Sequence, residues 1–139
     1  MGIINLDVAK DLIAGAEEEA KKIGVQMVIT VLDEDGNLVA THRMDDAWLA
    51  SIDIAHNKAW TSVALKMPSG DLAEATVPNA ELYGINTTNN GRIVVFGGGF
   101  PLVKDDKVVG AVGVSGSSVA NDVQVSEAAV KVFNEKFNA

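Results

Sequence analysis

The polar residues most suited to chemistry concentrate between positions 43 and 61: Arg43, Asp45, Asp46, Ser51, Asp53, Lys58 and Thr61, in a largely apolar neighbourhood. Two readings of this set are open. One is an ion-pair cluster that caps a helix and ties it to the preceding strand, which needs no ligand. The other is a pocket in which Arg43 or Lys58 supplies a cation for a carboxylate ligand. As an enzyme, the set would use Lys58 as proton donor or charge clamp, with Asp53 or Asp45 as its partner. On a helix, Asp53 and Lys58 would not stack directly, because neighbours on one face are three or four residues apart.

Other groups are weaker. Gly97-Gly98-Gly99 is followed by Phe100, Pro101 and Leu102, so the G-x-G-x-x-G dinucleotide fingerprint fails at its last position. The run reads as a bulge or bend in a sheet, or as exposed backbone N–H groups that line a pocket for an anion. Ser115 lies in Gly113-Val114-Ser115-Gly116-Ser117, and a nucleophile elbow would need glycine where Ser117 stands. His42 and His56 lack zinc-site spacing and read as surface or satisfied histidines rather than iron ligands. Asp33-Glu34-Asp35-Gly36 reads as a hairpin turn, since the further oxygen ligands and distal Glu of a calcium loop are missing. No metal site is recognisable.

The elements that must position these residues follow from periodicity. Asn5 caps a first helix, with Leu6, Ala9, Leu12, Ile13, Ala16, Ala20 and Ile23 at helical spacing and Gly24 as a stop. Val25 to Leu32 and Asn37 to Met44 form a hairpin. A second helix runs from about Ser51 to Lys66 with Ile52, Ala55, Ala59 and Val63 as its stripe, and a short one follows through Ala75. Val77 to Asn90 is a long irregular stretch that contains Tyr83, and such loops are often functional. Ile93–Phe96, Pro101–Val103 and Val108–Ser115 are read as three strands, and Ser117 or Ser118 caps a last helix with Val119, Val123, Ala128, Val132 and Phe133 on its buried side. The hairpins favour an antiparallel sheet with packed helices, an α+β domain spanning 1–139.

Composition narrows the partners. A hydrophobic fraction of 47% supports a real core, and a net charge of −8 with no basic run argues against nucleic acid or an anionic membrane. There is no cysteine, no window of membrane-spanning length, and no basic stretch leading into an apolar run at the N-terminus. A cytoplasmic protein is expected. The strands Val25–Leu32 and Val108–Ser115 are apolar on both faces. If two long helices lie on one face, the other is left partly open, and a homo-oligomer is expected, a dimer or higher, with Trp48 and Trp60 as interface or pocket walls.

Several motifs then fall in a familiar order: Asp33 and Gly36; Arg43-Met44-Asp45-Asp46-Ala47; Ser51 to Thr61 with Lys58-Ala59-Trp60-Thr61; Gly97 to Pro101; Gly110 to Gly116; and Asp122. The chain resembles the GlcG/HbpS-like haem-degrading domain, also found at the C-terminus of PduO-type proteins, and looks closest to small stand-alone members encoded beside glycerol and diol dehydratases. The resemblance implies a profilin-like α+β fold with a five-stranded antiparallel sheet, homo-oligomers from dimers to octamers, and haem or a cobalamin-related tetrapyrrole as ligand. The expected function is a small-ligand-binding accessory without established catalysis, with a purely structural assembly role as a further alternative. The residues expected to touch the ligand are Arg43, Asp45, Ser51, Lys58, Tyr83, Gly97, Gly98, Gly99 and Ser115.

Overall fold

The computed structural model describes residues 2–139. Helix α1, Leu6–Ile23, starts where Asn5 accepts a hydrogen bond from Val8 N at 2.9 Å and stops at Gly24, whose φ of 73° is left-handed. Removing that cap in Asn5→Ala is expected to cost about 1 kcal/mol in chemical denaturation. The N–H of Val25 closes the helix end onto Ala20 O at 3.0 Å, which delays the first strand. Strand β1 therefore spans Val28–Asp33 rather than starting at Val25. Its turn is built by Asp33, whose Oδ1 accepts from Asp35 N and Asn37 N at 3.0 and 2.9 Å, and β2 returns over Leu38–Arg43.

Helix α2 covers Ala50–Leu65, and four short 3-10 turns, from Ser69–Leu72 to Asn89–Gly91, lead to β3, Gly99–Lys104, and β4, Lys107–Ser115. Helix α3, Val119–Phe137, is capped by Ser118, which accepts from Asn121 N at 3.1 Å. The sheet is antiparallel in the order β2-β1-β4-β3, so it has four strands among the described residues and not five. The missing strand is Ile93–Phe96. Its backbone is held by side chains instead of a ladder: Val94 N donates to Thr61 Oγ1 at 3.0 Å, and Phe96 O accepts from Ser69 Oγ at 2.7 Å.

Alternation along the central strands divides the core. Ile29, Val31, Val112 and Val114 face α1 and α3, with Leu12, Ile13 and Phe133 among their neighbours. Val28, Leu32 and Ala111 face α2 through Ala55 and Ala59. The chain thus covers both faces of its central strands, while on the α2 side the edge strand β2 stays open, with Leu38 52% exposed. The buried side of α2 is Ser51, Ala55, Lys58, Ala59, Thr61 and Ser62, whereas Ile52 is 40% exposed. The buried side of α3 is Asp122, Val125, Ser126, Ala129 and Phe133, and of the five residues expected there only Phe133 is fully buried. Both helices bury polar groups where a hydrophobic stripe was anticipated.

Candidate functional site

The buried polar groups of α2 and α3 meet across the end of β4. Lys58 has no exposed surface and its Nζ donates to Asp122 Oδ2 and to Val114 O, each at 2.9 Å. Asp122 sits in the first turn of α3, where its Oδ1 also accepts from Ser117 N at 3.0 Å. Burial pushes the Lys58 pKa down, and the Asp122 hydrogen bond and charge push it back up. Burial likewise raises the Asp122 pKa against the opposing pull of Lys58 and the backbone donors. The partner of Lys58 is therefore Asp122 and neither Asp53 nor Asp45. Asp53 accepts from Asn57 Nδ2 at 3.1 Å on the outer side of α2.

Glycines make room for the pair. A Cβ at Gly98, whose φ is 126°, would lie 2.6 Å from Lys58 Nζ, and one at Gly99 would collide with Lys58 O. Gly99 N donates to Ser69 Oγ at 3.0 Å. Ser115 Oγ and Ser51 Oγ are 3.2 Å apart, with both residues buried. Of the nine residues expected at a ligand, the structure brings Ser51, Lys58, Gly98, Gly99 and Ser115 to this junction. Gly97 packs nearby, where a Cβ would meet Val123 and Val119 of α3.

The other three lie elsewhere. Arg43 and Asp45 line an open cleft of about 530 Å³ with His42, Glu17 and Lys21, at the end of β2 beside α1. Arg43 Nη1 donates to Ala47 O at 3.1 Å, and His42 Nδ1 stands 3.4 Å from Glu17. Tyr83 is 67% exposed on the irregular stretch.

The outer face of α2 carries a further opening that sequence reasoning set aside with His56. A cleft of about 650 Å³ is lined by Leu49, just before α2, by Ile52, Asp53, His56 and Asn57 of α2, and by Asn90, Gly91 and Arg92 opposite. The opposite wall turns through three left-handed residues, Asn89, Asn90 and Gly91, residue types that tolerate that conformation. Thr61 anchors it by bonding Arg92 O at 3.2 Å and Val94 N at 3.0 Å. The Arg92 guanidinium stacks 3.8 Å over the Trp60 ring, and its Nε donates to Asn89 O at 3.2 Å. The His56 ring makes no hydrogen bond among the described residues and lines an apolar edge formed by Leu49, 80% exposed, and Ile52. Next to this cleft, a chamber of about 230 Å³ shares Asp53, Asn57 and Gly91 with it and ends at Phe96. No cluster of three metal-ligating side chains occurs among the described residues, and none of their helices is long and apolar enough to cross a membrane.

Fold and site together define a one-sheet α+β domain with a lysine–aspartate pair at its polar centre and an imidazole-bearing cleft on one helix. The chain belongs to the HbpS-like family of haem-degrading proteins, whose pattern matches residues 4–131. It is 43% identical over 132 residues to an uncharacterised 15.0 kDa protein from the dhaT–dhaS intergenic region of Citrobacter freundii, covering 95% of this chain and 93% of that one. The crystal structure of the Klebsiella pneumoniae protein ORFY superposes with a TM-score of 0.93 at 40% identity, over 94% of this chain and 90% of that one. The crystal structure of the PduOC–haem complex gives 0.89 at 35% identity, over 93% and 94%.

Proposed function

We propose that this protein binds haem, or a tetrapyrrole closely related to it such as a corrinoid, in the cleft beside His56, and acts as a binding accessory rather than a catalyst. The observation that carries this is the His56 ring, without a hydrogen-bond partner among the described residues, on the wall of a cleft of about 650 Å³. A neutral imidazole is a common iron ligand in haem proteins. Leu49 and Ile52 supply apolar contact for a macrocycle, and Arg92, held in place by Trp60, supplies a cation suited to a propionate. The family to which the chain belongs and the haem held by PduOC support the same ligand class.

Titration with ferric haem tests it. The wild type is expected to give a Soret spectrum distinct from haem in buffer, and His56→Ala to lose the ligated spectrum while His42→Ala keeps it. A wild-type spectrum identical to free haem would overturn the proposal. A homo-oligomer, most simply a two-fold dimer, is supported by exposed apolar side chains outside that cleft, Trp48 at 64% before α2 and Leu38 at 52% on the edge strand β2. Light scattering at low micromolar concentration is expected to give at least twice the monomer mass, and Trp48→Glu to lower it; a clean monomer contradicts this.

A further inference from the structure

Lys58 is, among the described residues, the one lysine with no exposed surface in its side chain, and the Phe96 ring lies over its amine. Two contacts hold Nζ from within, Asp122 Oδ2 and Val114 O. On another side the Phe96 ring lies over Nζ, 5.1 Å from amine to ring centroid. Phe96 is itself 42% exposed and lines the 230 Å³ chamber, along with Asp53, Asn57, Asn86 and Val94. The segment that carries it, Ile93–Phe96, lies outside the sheet ladder and is held by side-chain bonds to Thr61 and Ser69. Gly97, Gly98 and Gly99 follow directly. The Phe96 ring thus takes part in both places, lining the chamber and covering the buried amine, on a segment held by side-chain bonds and not by a strand ladder.

We propose that Lys58 is a gated nucleophile that condenses with a small aldehyde entering through the chamber, when Phe96 swings aside, to form an imine. The step balances within the pair. The Lys58 ammonium hands one proton to Asp122, leaving a neutral amine and a carboxylic acid. The amine lone pair attacks the carbonyl carbon, the C–N bond forms as the C=O π bond breaks, and the nitrogen passes one of its protons to the oxygen to give a neutral carbinolamine. Asp122 then returns its proton to the departing hydroxyl, which leaves as water. The product is a protonated imine paired with the Asp122 carboxylate. Net charge is unchanged and no oxidant or reductant is needed. Burial favours this pre-equilibrium, since it moves the Lys58 pKa down and the Asp122 pKa up, both towards the neutral pair. Haem at His56 is not needed for this step, which uses Lys58 and the smaller chamber that ends at Phe96.

Trapping decides it. The full chain is treated with limiting acetaldehyde and cyanoborohydride near neutral pH, and ethylation is read lysine by lysine by peptide mass spectrometry. A lysine with no exposure and two hydrogen bonds is ordinarily protected, and Lys22, whose side chain is 65% exposed, serves as the reference. The expected result is that Lys58 is modified at least as fast as Lys22, that Phe96→Ala raises its rate several-fold, and that Phe96→Trp lowers it. Circular dichroism verifies that the Phe96 variants are folded. Modification of Lys22 with Lys58 untouched in the wild type would overturn the proposal. Modification of Lys58 confined to Phe96→Ala would also overturn it, because the ring would then be a wall and not a door.

Discussion

Replacing Asp122 by asparagine is expected to lower the unfolding free energy by about 3–5 kcal/mol, the usual cost of leaving one member of a buried ion pair without its partner. The side chains of Lys58 and Asp122 are 0% and 4% exposed, so water cannot take over from the lost carboxylate. The asparagine amide would still fill the space but keeps a single acceptor oxygen, so either Lys58 Nζ or Ser117 N would face its NH2 group, and the loss combines the missing charge with one missing acceptor. A double variant, Lys58→Met with Asp122→Leu, is expected to recover much of the loss, because an apolar pair of similar volume carries no desolvation cost. Urea denaturation of the three proteins checks this. A loss under 1 kcal/mol for Asp122→Asn would show that the pair is not the polar centre of the fold.

Gly113→Ala is the second large effect. Gly113 lies on β4 directly beneath α2, where an added Cβ would collide with Ala55 O and come 2.7 Å from Ala59 N. Both are backbone atoms, so no rotamer change relieves the contact. The helix would have to lift from the sheet, opening the layer formed by Ala55, Ala59, Leu32 and Ala111. Overpacking of this kind costs about 1–3 kcal/mol and sometimes more, and the backbone position puts this variant at the upper end. Gly2→Ala, whose Cβ would meet only the Glu34 side chain at 3.5 Å, is expected to stay within about 0.5 kcal/mol of the wild type. Equal stability of the two variants in thermal denaturation would contradict the close packing of α2 on β4.

The same packing explains what the sequence could and could not reveal. Asn5, Gly24, the Asp33 turn and the Ser118 cap are local devices, and each marks its element where spacing and residue type predicted it. Of the four residues expected in the stripe of α2, Ala55 and Ala59 are fully buried and Ile52 is not, because the helix packs on a glycine groove. Where the sheet offers Gly113 and Gly99, the helix comes so close that alanine and serine pack best, and Ile52 turns outward. Ile93–Phe96 has strand-like residues, but whether a segment joins a sheet depends on which groups meet its backbone, and here they are Thr61 and Ser69. The pairing of Lys58 with Asp122 spans 64 residues and has no signature in periodicity. Asp122 did stand among the motif positions of the family resemblance, and that was the one available signal. The wall that faces His56, residues 90–92, comes from an irregular stretch whose path no spacing rule gives, so the sequence does not show that His56 borders a cleft.

The iron atom locates the seat of the tetrapyrrole. Crystals grown with ferric haem, measured at the iron absorption edge, are expected to show one anomalous peak per chain within bonding distance of a His56 ring nitrogen, between α2 and residues 90–92. A peak beside His42 in the cleft of Arg43 and Asp45, or crystals saturated with haem that show no peak at His56, would contradict it.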